Sequence, residues 1–305
     1  MRTLEPRGGV ARELPARPVT AEGFTVPFLL LAIACVAPFT ITACSDDDPT
    51  SPDEHTAIRD FSDMVDATEL GLASFEGVNS EIHLHSAETD QIDVHVRVEV
   101  DAPRQDDAEE FADSIQMQAE TDGAHRSWWF EYPTVPAHMT VTLHWTVEVP
   151  DGMDAELDAV NGAFEVSGSF GALDLSIQNG AIDVSGDAGP IVSSGVNAAV
   201  DISLDVLEGP LTSTLVNGNQ EIGFLVGDTS VFATSVNGSI DVRLPHSYDG
   251  TLDAEVENGV VSAVLSLGDA QITTKHVTGR IGDGSDHTVV LRSVNGNIVV
   301  AQHSS

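Results

Sequence analysis

Lysine is almost missing from this chain of 305 residues, and cysteine is nearly as rare. Lys275 is the only lysine, and with the arginines it makes 12 basic residues against 49 acidic ones. The formal net charge of −37 repels nucleic-acid phosphates and anionic lipid headgroups, which excludes both as partners. Such an Asp-rich, Lys-poor surface fits a saline habitat, where screening relieves self-repulsion. The two cysteines, Cys35 and Cys44, both lie near the start. Beyond them there is no thiol for a disulfide framework, a Cys-ligated zinc site or thiol catalysis, so stability has to come from packing. Also absent are a Ser-His-Asp ordering, a phosphate-binding Gly loop and a His-Glu-x-x-His motif. We therefore expect no enzyme, no catalytic residues and no cofactor.

Residues 1–44 read as a lipoprotein signal peptide. Arg2, Arg7, Arg12 and Arg17 precede the apolar run Phe28 to Ala37, which ends in Ile41-Thr42-Ala43-Cys44. That ending resembles a bacterial lipobox, which implies acylation of Cys44 and a membrane link through the lipid. Pro27 and Pro38 interrupt the run, which falls short of the ~20 apolar residues of a membrane span. Residues 45–68 are expected to be an acidic flexible tether. Ser45, and not Asp, follows the cysteine, so a retention signal for the inner membrane is absent, and the acidic run resembles a surface-export signal. The expected location is the cell envelope, at the outer membrane and surface-exposed.

The most informative positive feature is a recurring Asn-Gly-x-(Ile/Val/Phe)-(Asp/Glu)-(Val/Ile) pattern. It falls at Asn161-Gly162, Asn179-Gly180, Asn197-Ala198, Asn217-Gly218, Asn237-Gly238, Asn258-Gly259, Thr278-Gly279 and Asn295-Gly296. The spacings are 18, 18, 20, 20, 21, 20 and 17 residues, the mark of a stacked repeat. Two residues after each Gly stand Phe164, Ile182, Val200, Gln220, Ile240, Val261, Ile281 and Ile298, and two further on Val166, Val184, Ile202, Ile222, Val242, Ala263, Asp283 and Val300. Strand side chains alternate, so both columns point inward. Stacked coils turn them into apolar ladders worth about 1.5–3 kcal/mol per fully buried large side chain. The predicted fold is all-β, a parallel β-helix (β-solenoid) of 18–21-residue coils over 151–305. Its corner asparagines, Asn161, Asn179, Asn197, Asn217, Asn237, Asn258 and Asn295, would bond to one another along the stack. Asn-Gly is also the strongest hairpin signal, which keeps an antiparallel meander or barrel as the competing reading.

Residues 69–150 form an N-terminal β region. Ile82 and Leu84 alternate with His83 and His85, and Ile92 to Val98 alternate with Asp93, His95 and Arg97. Asn79 to Leu84 fits the repeat as a worn first coil. A short helix is predicted within 105–120, with Phe111, Ile115 and Met117 as its stripe. Strands resume at Trp128 and at Met139.

Three constellations are candidate sites. The outward column Glu165, Asp183, Asp201, Glu221 and Asp241 would space its carboxylates about 4.8 Å apart, and hard oxygens suit Ca²⁺; solvation and salt are the plainer explanation. His83, His85 and His95 meet if the two early strands pair, an arrangement able to hold zinc. Trp128, Trp129, Tyr132 and Trp145 either form a binding platform for sugars or proteins or seal one end of the stack.

With the Val-Asn-Gly-x-Ile-Asp-Val copies, the preceding Val149-Pro150-Asp151-Gly152-Met153 and the early strand pair on the page, the chain resembles the bacterial putative-adhesin family of β-strand-repeat proteins, a domain of unknown function. The resemblance covers about residues 70–302. It implies a single-stranded, right-handed β-helix on an exported protein, often a lipoprotein, and brings no catalytic residues. The expected function is a non-enzymatic envelope lipoprotein presenting an adhesive surface to an unknown protein or glycan. The alternatives are a polysaccharide- or calcium-binding module and a carbohydrate-active β-helix enzyme.

Overall fold

The computed structural model describes residues 55–303. The leader, Cys44 and the start of the expected tether lie outside the described residues. Among those described, one helix and nineteen strands join in a single open sheet.

The N-terminal part comprises β1 (His55–Asp66), β2 (Leu72–Ala87), β3 (Gln91–Ala102), α1 (Gln105–Asp113), β4 (Gln116–Asp122), β5 (His125–Glu131) and β6 (Thr140–Pro150). β1 corrects the tether: residues 55–66 pair antiparallel with β3 from end to end. Ala57, Phe61 and Val65 alternate inward, a strand signal that the neighbouring acidic, Pro-containing stretch obscured. Two charged residues share that inward side, and each has a partner. Arg59 Nε donates to Asp113 Oδ1 of α1 at 2.8 Å, and Asp63 accepts from Arg126 Nη2 at 2.8 Å and Trp128 Nε1 at 2.9 Å. The helix is shorter than the sequence suggests. Its stripe is Ala108, Phe111 and Ala112, and Met117 belongs to the hairpin of β4 and β5.

β7 (Asp154–Phe170), β8 (Leu173–Ala188) and β9 (Ile191–Leu207) each run straight through their Asn-Gly or Asn-Ala pair. In β7, burial falls on Ala155, Leu157 and Ala159, then on Phe164 and Val166, so the pair resets which side faces the core. The three strands pair parallel, Asn161 opposite Asn179 and Asn179 opposite Asn197. Glycine is needed there because the backbones nearly touch. At Gly180 (φ 147) and Gly218 (φ 134) a Cβ would collide with the carbonyl oxygens of Gly162 and Ala198.

Later copies are each split in two: β10 (Leu211–Asn217) with β11 (Gln220–Val226), β12 (Val231–Asn237) with β13 (Ile240–Leu244), and β14 (Gly250–Asn258) with β15 (Val261–Val264). β16 (Gly268–Ile272) and β17 (His276–Ile281) follow, then β18 (Thr288–Asn295) with β19 (Ile298–Gln302). Spatial order departs from chain order here. β18 lies between β12 and β14, and β19 between β13 and β15, all parallel. The copy at Asn295 is therefore interior to the sheet, flanked on both sides. Thr278-Gly279 is no corner either: β17 runs antiparallel to β14 and β16, so Ile281 and Asp283 leave the inward columns.

Corrected, the first column reads Ile82, Phe164, Ile182, Val200, Gln220, Ile240, Ile298, Val261 in space. Gln220 is the one polar member, fully buried. Its Nε2 donates to Thr234 O at 2.6 Å, while its Oε1 has no partner among the described residues.

Candidate functional site

Each copy offers solvent two faces, one from the half-strand before the corner and one from the half-strand after it. The second carries the acidic column. Glu165, Asp183, Asp201, Glu221 and Asp241 are register partners on successive strands. Like charges side by side destabilise a sheet, and both ends of the column have a side-chain partner. His83 Nδ1 lies 2.8 Å from Glu165, and Arg243 lies 2.8 Å from Glu221 and 3.8 Å from Asp241. In the middle, burial raises the Asp183 pKa, and the charges of Asp201 and Glu165 raise it further. The small side chains of Ala181, Ala199 and Ser239 leave a shallow groove of 460 Å³ beside the carboxylates. The column is a line and not a cage: among the described residues no three His, Cys, Asp or Glu side chains are grouped to hold a metal ion.

The histidine trio is split. β2 and β3 do not pair; β6 lies between them, and His83 and His95 both stand opposite Thr146. A three-residue link normally closes a hairpin, but here residues 88–90 pass beyond the end of β6, where Ala87 meets Pro150. Each histidine has its own partner: His83 has Glu165, His95 has Asp93 at 3.2 Å, and His85 contacts Ser167 O at 3.1 Å.

The aromatic group is corrected as well. Trp128 and Trp145 are fully buried, Trp128 stacked on Phe75 at 5.1 Å and Trp145 edge-on to Phe75 and Phe130. They are core, with Arg126 lying over the Trp128 ring. Trp129 and Tyr132 are half-buried.

The feature missed in the sequence lies on the first face. Its outward residues are Val192, Ser194 and Val196 on β9, Thr212, Thr214 and Val216 on β10, Phe232, Thr234 and Val236 on β12, and Val290, Arg292 and Val294 on β18. Register aligns them, Val192–Thr212–Phe232–Val290 forming one row. Four adjacent strands thus carry no carboxylate here, in a chain with 49 acidic residues. The one charge, Arg292, is turned to the border, 2.6 Å from Asp253 and 3.7 Å from Glu255. Acids resume on either side: Asp174, Glu156 and Asp158 on β8 and β7, and Asp253, Glu255 and Glu257 on β14. Val192, Val196, Val216, Phe232 and Val236 are exposed. The signal was present in the residues before each Asn, whereas the pattern drew attention to those after it.

No family model matches the chain, and no curated protein does. Solved structures do. A putative cell adhesion protein from Clostridium sporogenes aligns at 11% identity over 81% of this chain and 100% of its own, with a TM-score of 0.33. A putative adhesin from Bacteroides fragilis gives 10%, 83%, 99% and 0.41, and one from Parabacteroides distasonis 10%, 80%, 97% and 0.33. The chain is similar to bacterial putative adhesins. None of these neighbours is named as an enzyme. Identities and scores this low carry over no residue roles and no ligand.

Proposed function

We propose that this chain is a non-enzymatic envelope protein, lipid-anchored through Cys44 at the outer membrane, whose parallel repeats form a β-solenoid presenting the neutral face for adhesion. The carboxylate-free patch on β9, β10, β12 and β18 is the observation that carries this reading. The acidic strands on its two sides repel acidic partners and hold their own water; here flat aliphatic and threonine side chains are cheaply dried. The acidic borders on both sides favour a protein partner with an uncharged centre and a Lys/Arg rim.

Cells displaying the full chain test this, scored for adherence to protein-coated and glycan-coated surfaces, with Cys44→Ala as the release control. Val216→Glu with Phe232→Glu should cut adherence at least about ten-fold, the scale of one lost interface hot spot, with the melting temperature kept. Asp183→Asn with Asp201→Asn should leave adherence intact. Undiminished adherence of the first double variant sinks the proposal. Cation binding along the acidic groove is a second reading, favoured by the raised Asp183 pKa. It predicts that millimolar calcium raises the melting temperature at low ionic strength.

A further inference from the structure

Six Asn-Gly dipeptides survive in the folded chain, and they differ in how firmly each is held. In Asn-Gly sequences the glycine nitrogen attacks the asparagine Cγ. An N–Cγ bond forms, the Cγ–Nδ2 bond breaks, ammonia leaves with the glycine's proton, and water opens the resulting succinimide to aspartate or isoaspartate. The attack requires a glycine N–H released from its hydrogen bond and an asparagine side chain free to turn toward it.

Five of the six are clamped. Gly218 N donates to Asn237 O at 2.9 Å, Gly238 N to Asn295 O at 2.8 Å, and Gly296 N to Asn258 O at 3.0 Å. Gly162 and Gly180 lie inside β7 and β8, strands paired on both sides. Their asparagines are fixed too. Running through space, Asn258, Asn295, Asn237, Asn217, Asn197, Asn179, Asn161 and Asn79 form one chain of side-chain amides, each Nδ2 donating to the next Oδ1 at 2.7–3.0 Å. Interior members both donate and accept. Asn258 stands at the open end: it donates the longest of these bonds, 3.0 Å to Asn295, and its Oδ1 accepts none. Among the described residues Gly259 N–H also has no acceptor.

We infer that Asn258-Gly259 is the deamidation site of the folded protein, the other five being protected by the stack. Conversion replaces the terminal amide by a carboxylate facing Asn295 Oδ1, so the chain of amides loses its last donor. In isoaspartate the main chain between β14 and β15 also lengthens by one carbon, beside the Val260 N to Asn297 Oδ1 bond of 3.0 Å. The end repeat loosens as a result.

The test is peptide mapping by mass spectrometry of the full chain, held in mildly alkaline buffer and sampled over days, with a parallel sample in urea. In the folded protein the peptide containing Asn258 should convert at least about ten times faster than any other Asn-Gly peptide, the factor set by one hydrogen bond's protection. In urea all six should convert at similar rates. Equal or faster conversion at any other site in the folded protein overturns the inference, as does no conversion at Asn258, and so does the same preference in urea, which would make it a property of local sequence.

Discussion

At the scale of single residues, the chain spends its polar side chains in two contrasting ways. The interior corner asparagines are exposed or half-buried yet both donate and accept, since the sheet spacing brings each amide to hydrogen-bond distance of the next. Asn217→Ala removes one donated and one accepted bond from the middle of that series. It should cost about 1–3 kcal/mol, seen as a lower urea midpoint at unchanged slope. The neighbouring Val216→Ala, on an exposed side chain, should cost under about 0.5 kcal/mol. Equal costs for the two would show that the amide series contributes little. Gln220 is the opposite case, buried where its column neighbours Val200 and Ile240 are apolar, with one oxygen unpaired.

At the scale of elements, β1 and β8 respond to acid with opposite signs. Burial raises the pKa of Asp63, but its bonds from Trp128 and Arg126 outweigh that and leave it lowered; Asp253 is lowered too, its burial outweighed by Arg292 and His276. A lowered folded-state pKa adds stability above the unfolded value, and that stability is lost as pH falls through the folded one. Asp174 and Asp183 are raised, by burial first and then by neighbouring carboxylates, so their ionised forms cost stability that acid restores. On acidification the melting temperature should first hold or rise, then fall below about pH 4. Asp183→Asn should flatten the rise. A steady decline starting at neutral pH would contradict these assignments. The strands themselves were legible because alternation and the Asn-Gly period are local signals. Their neighbours were only partly so. Each Asn-Gly copy offers the same register to any other, so nothing local says that β18 fits between β12 and β14, or that β6 separates His83 from His95. Trp128 and Trp145 showed only their size, and burial was decided by Phe75 from a strand more than fifty residues away. The carboxylate-free face escaped notice because it exists only once four strands are aligned.

At the scale of the whole molecule, a net charge of −37 opposes compaction. Raising sodium chloride from about 0.01 M to about 1 M shortens the screening length from ~30 to ~3 Å, and the melting temperature should rise by several degrees. An unchanged value across that range would mean that local pairs such as Arg243 with Glu221 already absorb the repulsion. The out-of-order placement of β18 and β19 has its own effect on how the protein is made. During synthesis this sheet cannot be built progressively in chain order, because a slot must stay open between two earlier segments until residues 288–302 emerge. Joining β18 to β12 closes a loop of more than fifty residues, the sort of long-range step that slows assembly. A truncated product lacking that piece would leave the edges of β12 and β14 unpaired across an unfilled gap, and would be destined for degradation or clumping.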